Sequence, residues 1–99
     1  MKILAIIGSP RKKGTISNLA HVILNEAQKN GHETELVNLY DYTIKPCLGD
    51  WVCVKLGRCH IEDDFKLIYN KLNDTDIVIL GSPVYWANIT GVMKNFFDR

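Results

Sequence analysis

The 99-residue sequence has little of what several large classes of protein depend on. It contains no run of about eighteen apolar residues, so no stretch has the usual pattern of a membrane-spanning helix. Its twelve basic and eleven acidic residues leave a formal net charge of only +1, which argues against a nucleic-acid-binding surface. The N-terminal apolar stretch ends at Gly8 and is too short for a secretory signal. We therefore expect a cytoplasmic protein that binds neither nucleic acid nor membranes.

Cysteine is also scarce, and Cys47, Cys53 and Cys59 are the only ones. An odd number of cysteines confined to one segment does not suit a disulfide framework, and in the cytoplasm it favours thiols, a metal site or redox chemistry. All three lie within residues 40–60, a stretch that contains Pro46 and shows no helix or strand pattern. Loops of this length are uncommon unless they are functional.

The rest of the chain alternates between strand and helix patterns. Continuous apolar runs predict a buried strand at residues 2–7 and a third, fully apolar strand within residues 75–83, and the alternating "ETELVNL" predicts a half-exposed edge strand at 33–39. With helical segments between the strands, the order β-α-β-loop-α-β-α predicts an α/β fold with a parallel sheet and right-handed crossovers.

Apolar residues at helical spacing predict helices at 15–30 and 61–72 and a further helix from residue 90 onward. The side chain of Thr15 or Ser17 is expected to cap the first helix. The apolar stripe expected on that helix consists of Leu19, Ala20, Ile23, Leu24 and Ala27.

The first loop, "GSPRKKGTIS", has the composition of an anion site. A glycine loop that leads into a helix N-terminus presents backbone N–H groups, and the helix dipole favours negative charge. Ser9, Thr15 and Ser17 add hydroxyl donors, and Arg11 adds a planar guanidinium suited to phosphate. The nucleoside-triphosphate pattern is not met because its glycine and lysine are transposed, and the dinucleotide pattern is broken at its third position. A basic turn that binds nothing is the alternative.

Three motifs together resemble the NAD(P)H-dependent FMN reductases, and most closely the iron–sulfur flavoprotein branch of that flavodoxin-like family. They are "GSPRKKGT" in the first loop, "GSPVYW" after the third strand and "TGVMKNFFDR" in the last helix. The resemblance covers essentially all 99 residues. It implies a three-layer sandwich whose sheet order is 2-1-3 in this chain and 2-1-3-4-5 in the complete fold. It also implies that the first loop holds the phosphate monoester of FMN through Ser9, Arg11, Thr15 and Ser17.

The second motif follows a strand end, where open α/β sheets bind ligands. Backbone groups and flat side chains there suit an isoalloxazine ring, and the resemblance assigns the flavin edge to Pro83, Val84, Tyr85 and Trp86. The alternative is that the aromatic residues cover the end of the sheet or a subunit interface. No catalytic side chain is expected, because flavin carries the chemistry of electron or hydride transfer.

The cysteine segment resembles the loop in which iron–sulfur flavoproteins hold a [4Fe–4S] cluster through four cysteines. Cys47, Cys53 and Cys59 match the first, third and fourth positions, and Asp50 stands at the second. Three interpretations stay open: a remnant loop without a cluster, which we favour, a cluster completed by Asp50 or an external ligand, and a zinc site. A carboxylate is a poor substitute for thiolate on cluster iron, and zinc usually takes four sulfur or nitrogen ligands.

The implied function is an FMN-binding oxidoreductase that passes electrons from NAD(P)H or a protein donor to a small acceptor such as a quinone, and assembles as a dimer or tetramer. The alternatives are an electron-transfer iron–sulfur flavoprotein and a non-catalytic fragment. Because residues 1–99 contain three of the five strands of the complete fold, we expect one flavodoxin-like domain truncated at its C-terminus. The third strand would then expose an apolar edge, unless another copy covers it.

Overall fold

The computed structural model describes all 99 residues, which form three strands and four helices around one sheet. The strands pair in parallel in the order β2-β1-β3, which confirms the predicted α/β class and the order 2-1-3. The strands are β1 (Lys2–Ile7), β2 (Glu33–Asn38) and β3 (Ile77–Gly81), and the helices are α1 (Thr15–Lys29), α2 (Val52–Leu56), α3 (Phe65–Asn73) and α4 (Gly91–Asp98).

Helices cover both faces of the sheet because the central strand β1 is apolar on both sides. Side chains alternate between the faces of a strand, so Leu4 and Ile6 point one way while Ile3, Ala5 and Ile7 point the other. The first pair packs with residues of β2, α3 and α4, and the second set packs against α1. This arrangement confirms the three-layer sandwich. The buried partners are Val37, Leu39, Ile68, Met93 and Phe96 on the first face and Ala20 and Leu24 on the second.

Helix α1 differs from its prediction at its start and on its apolar face. The prediction that Thr15 or Ser17 caps the helix is wrong, because the N-cap residue is Gly14 and no side chain caps the helix. The buried stripe is also narrower than expected. Leu19 and Ile23 are 58% and 42% exposed, since the sheet contacts the helix along the line of Ala20, Leu24 and Ala27.

The segment after β2 is more ordered than its sequence pattern suggests. Strand β2 ends at Asn38, one residue earlier than predicted; a 3-10 turn (Leu39–Asp41) leads into the predicted loop, and the short helix α2 lies within it. Helix α3 begins at Phe65, four residues later than predicted. The carboxylates of the two preceding aspartates explain the delay. Asp63 accepts a hydrogen bond from the amide of Lys45, and Asp64 accepts one from the amide of Thr43, each at 2.7 Å.

Strand β3 is the second edge of the sheet and pairs only with β1. Its side chains Ile77, Val78 and Leu80 are 40–52% exposed, which confirms the expected apolar edge. None of the helices combines the length and the hydropathy needed to cross a membrane.

Candidate functional site

A pocket of about 340 Å³ lies between the first loop and the segment that follows β3. Both segments leave the carboxyl ends of neighbouring parallel strands, which is where this sheet type places ligands. The structure therefore brings together five of the eight residues predicted to bind flavin. These five are Ser9, Arg11, Thr15, Pro83 and Tyr85, and Gly14 and Ile16 complete the wall without having been anticipated.

The other three predicted residues lie elsewhere. Ser17 is buried, and its hydroxyl donates a hydrogen bond to the carbonyl oxygen of Arg11 at 3.3 Å, so it shapes the loop from behind. Val84 and Trp86 are 77% and 99% exposed and do not line the pocket. Their flavin contacts stay a prediction.

The pocket is electropositive where it meets α1. Because α1 has no side-chain cap, the amides of Thr15, Ile16 and Ser17 carry no hydrogen bond in the structure. Free N–H groups at a helix start attract anions, and the exposed guanidinium of Arg11 adds a full positive charge beside them. Gly14 allows this close arrangement, since a Cβ there would lie 2.9 Å from the Cβ of Arg11.

Two buried polar side chains hold the first loop in place. The side-chain amide of Asn38 donates to the carbonyl oxygen of Ser9 at 3.0 Å, and the hydroxyl of Thr90 donates to that of Gly8 at 2.8 Å. Neither residue was anticipated. The available signals were an asparagine at the end of strand β2 and a threonine directly before α4.

A tight turn positions the aromatic residues after β3. Tyr85 and Asn88 form two backbone hydrogen bonds, and the residues between them, Trp86 and Ala87, have φ angles of 48° and 59°. The left-handed conformation costs a non-glycine residue about 1–2 kcal/mol. This turn keeps Tyr85 at the pocket while Trp86 projects into solvent.

A second cavity, of about 350 Å³, is lined by all three cysteines. Cys47 and Cys53 are exposed and Cys59 is half-buried. No three Cys, His, Asp or Glu side chains converge closely enough to hold a single metal ion. The assignment of these cysteines as metal ligands therefore stays a prediction.

A cubane cluster differs from a single ion because each of its ligands binds a separate iron, so its ligands surround a cavity. The three cysteines line one cavity, and the sequence has no fourth cysteine.

Arg99 closes one side of the cysteine cavity and was not anticipated as a site residue. Its side chain is 1% exposed and forms a two-point ion pair with Asp63, itself 3% exposed, at 2.7 and 3.1 Å. Its Nε donates to the Sγ of Cys59 at 3.0 Å, and its guanidinium lies over the Phe65 ring. The pKa of the Asp63 carboxyl lies below its usual value. Burial alone would raise this pKa, but the hydrogen bonds from Arg99 and from two backbone amides outweigh the effect of burial.

Asp50 lies in the same loop but outside the cavity wall. Its carboxylate accepts a hydrogen bond from the amide of Val52 at 3.2 Å and contacts Nε2 of His60 at 2.7 Å. The Val52 amide, and then His60, lower the pKa of Asp50. The pair therefore joins the second position of the cysteine pattern to His60, the residue that follows Cys59 in the sequence.

The sheet order, the loop at its carboxyl edge and the pocket define a flavodoxin-like α/β domain. The family described as NADPH-dependent FMN reductase matches residues 1–99, and the chain belongs to this family.

Among curated relatives, the chain is similar to an iron–sulfur flavoprotein of Archaeoglobus fulgidus, with 44% identity over 99 residues. It is also similar to one of Methanocaldococcus jannaschii, with 39% identity over 99 residues. Both alignments cover the whole chain, but only 48% and 51% of those relatives. The chain thus spans about half the length of these curated relatives.

Solved structures share the fold. A flavone reductase matches the whole chain with a TM-score of 0.78 and 25% identity, over 29% of its own length. An NAD(P)H:quinone oxidoreductase from Methanothermobacter marburgensis matches the whole chain with a TM-score of 0.81 and 17% identity, over 52% of its own length. The second likeness concerns the fold alone.

The residues present fit FMN, the cofactor of this family. The free amides of α1, the Arg11 guanidinium and the close loop that Gly14 permits suit a phosphate monoester. Pro83 and Tyr85 supply an adjoining apolar wall for a flat ring.

Proposed function

We propose that this chain is the FMN-binding part of an oxidoreductase that passes electrons from NAD(P)H, or from a protein donor, to a small acceptor such as a quinone. One observation supports the proposal most strongly. Uncapped helix amides, the Arg11 guanidinium and the apolar surfaces of Pro83 and Tyr85 all border one pocket. Phosphate at one end and an apolar ring at the other is the chemical layout of FMN.

The residues of the chain bind and orient the cofactor in this proposal. Arg11, Thr15 and Ser9 donate to the phosphate, while Ser17 fixes the loop backbone. Pro83 and Tyr85 contact the ring. When bound, FMN supplies hydride and single-electron transfer, so the protein needs no acid or base of its own.

Val84 and Trp86 have a different place in the proposal. They border the flavin edge, and their exposed apolar side chains favour assembly into a dimer or tetramer. The location that we propose for this assembly is the cytoplasm.

An electron-transfer iron–sulfur flavoprotein is the second candidate, and one specific observation favours it. Cys47, Cys53 and Cys59 are separated in sequence but line one cavity. Two of the three sulfurs also accept N–H donors: Cys47 from the amide of Gly49 at 3.4 Å, and Cys59 from Arg99 at 3.0 Å. Hydrogen bonds to sulfur are one of the means by which proteins tune cluster potentials.

Anaerobic reduction tests the first proposal. The chain is loaded with FMN, freed of excess cofactor and mixed with NADPH or NADH while the visible flavin absorption is followed. We expect the absorption to bleach and to return when a quinone is added. Bound FMN that neither nicotinamide reduces would contradict the NAD(P)H donor and leave the protein donor. A folded chain that binds no FMN would contradict the proposal and support the non-catalytic alternative. Iron content, measured on the same sample, tests the second candidate.

A further inference from the structure

Residues 45–58, which we call the exposed segment, lie on the surface and present large apolar side chains to solvent. Helix α2 buries none of its residues, and every residue of the segment except Val52 is exposed. Cys47 and Cys53 line the cavity described above, whereas the large apolar side chains lie outside its wall. These side chains are 50–76% exposed and belong to Leu48, Trp51, Val54 and Leu56.

The exposed segment is fixed at both ends and strained at its centre. The Arg99 guanidinium donates to the carbonyl oxygen of Lys45 at 2.9 Å and to that of Ile61 at 3.2 Å. The amide of Lys45 donates to the Asp63 carboxylate at 2.7 Å. Between these ends, Trp51 has a φ of 61°, a left-handed conformation that is strained for a residue other than glycine. Strain of this kind at an exposed aromatic residue is typical of functional surfaces.

The positive charge of the chain is concentrated in the same segment. It contains one carboxylate and three basic side chains, which are Lys45, Lys55 and Arg58. Lys45 and Lys55 form no ion pair, and the pair of Arg58 with Glu62 is long, at 3.9 Å. The segment thus has a formal net charge of +2, whereas the rest of the chain has nine basic and ten acidic residues. The near-neutral total therefore hides a local positive surface.

Charge and shape distinguish three occupants of this surface. A second copy bound about a two-fold axis would place the same positive surface against itself, and like charges repel. A partner protein would need a groove matched to apolar side chains that are spread over a loop and the short helix α2. A fluid anionic lipid surface needs no such groove. Tryptophan and aliphatic side chains enter its interface while lysine and arginine contact its headgroups.

We propose that the exposed segment is a membrane-surface site, at which Lys45, Lys55 and Arg58 bind anionic phospholipid headgroups and the apolar side chains enter the interface. Such binding needs no spanning helix, because an interfacial segment lies in the plane of the membrane surface. The proposal replaces the expectation of no membrane partner, which rested on the absence of a spanning run. It depends on neither of the functions proposed above.

Flotation of the 99-residue chain with lipid vesicles tests the electrostatic part. The vesicles contain phosphatidylcholine alone or an equimolar mixture with phosphatidylglycerol. We expect binding to the mixed vesicles, little binding to phosphatidylcholine alone, and release at high salt, which screens the attraction. Lys55→Ala should lower the partition coefficient about fivefold, the equivalent of about 1 kcal/mol for one basic residue. The control Lys29→Ala removes an exposed cation at the end of α1 and should leave it unchanged.

Two matched pairs of variants test the apolar part. Val54 and Val22 both lie in helices and are 71% and 66% exposed, but only Val54 belongs to the segment. Val54→Ser should weaken binding to the mixed vesicles, whereas Val22→Ser should not. The chain has two tryptophans, so Trp86→Phe leaves Trp51 as the reporter. Its emission should shift to shorter wavelength on the mixed vesicles, and the emission of Trp86 in Trp51→Phe should not.

Several outcomes would overturn the proposal. They are no binding to the mixed vesicles by a chain that retains its far-ultraviolet circular dichroism, equal binding to both vesicle types, and equal effects of the two serine substitutions. A shift of Trp86 emission alone would place the contact elsewhere and would also overturn it.

Sedimentation velocity without vesicles tests the other occupants. A dimer that Val54→Ser dissociates would show that the segment is an interface between copies, and the membrane proposal would fail. If the folded chain binds neither vesicles nor itself, the proposal fails and an acidic partner protein remains. The Kd for FMN should be the same in Val54→Ser and Lys55→Ala as in the wild type, so a failure here leaves the flavin proposal unaffected.

Discussion

Removal of the Arg11 guanidinium is the sharpest perturbation of the proposed phosphate site. A hydrogen bond to a charged group contributes about 1.5–3 kcal/mol when it is well formed. Arg11 is exposed, so solvent weakens the interaction, and we place the effect of Arg11→Ala near the lower limit of that range. A loss of about 1.5 kcal/mol corresponds to an increase in the Kd for FMN of about tenfold.

Lys13→Ala is the matched control for this perturbation. Lys13 is an exposed cation in the same loop but does not line the pocket. Its removal changes the net charge equally, so any difference between the variants reports contact with the phosphate and not long-range attraction. Both are measured by quenching of FMN fluorescence at two salt concentrations. Equal effects of the two substitutions, or an unchanged Kd for Arg11→Ala, would refute the assignment of Arg11.

Three further substitutions test the loop, the buried ion pair and the strained turn. Gly14→Ala places a methyl group 2.9 Å from the Cβ of Arg11 and should weaken FMN binding in the same titration, whereas an unchanged Kd would contradict the close packing. Asp63→Asn leaves Arg99 buried without its counter-charge and should cost about 3–5 kcal/mol in urea unfolding; a loss below about 1 kcal/mol would show a solvent-exposed pair. Folding lowers the pKa of Asp63, so the ionised carboxylate contributes its full stabilisation at pH values above the unfolded pKa of about 3.9. This stabilisation falls as the pH drops towards the pKa of the folded state, and Asp63→Asn should not show that loss of stability. Ala87→Gly removes a strained φ of 59° and should raise Tm slightly, and a lowered Tm would contradict the strain.

The strands of the sheet could be predicted because each one follows from the apolar pattern of its own residues. Strand β1 is a continuous apolar run and needs both faces covered, whereas the place of β3 beside β1 followed from the resemblance to the flavodoxin-like family. The position of the ligand pocket followed from the two strand ends, since parallel strands place their carboxyl ends at one edge.

The parts that were not predicted depend on contacts between distant residues. The start of α3 at Phe65 is set by the amides of Thr43 and Lys45, and the ion pair of Arg99 spans 36 residues to Asp63. No local pattern signals either contact.

The exposure of Trp86 has another cause. It results from a left-handed backbone at a residue other than glycine, which sequence propensity does not indicate. The uncapped start of α1 was also not predictable from residue type. Thr15 has the right chemistry for a cap but is the first residue inside the helix.

The central claim is that the first loop and the segment after β3 form a site for the phosphate and the ring of FMN. The most direct test is a pair of fluorescence titrations of the 99-residue chain, one with FMN and one with riboflavin, which differ only in the phosphate. Our account predicts quenching by the chain in both titrations and clearly tighter binding of FMN, with the difference reduced in Arg11→Ala. Equal affinities for the two flavins, or no binding of either by a folded chain, would contradict it.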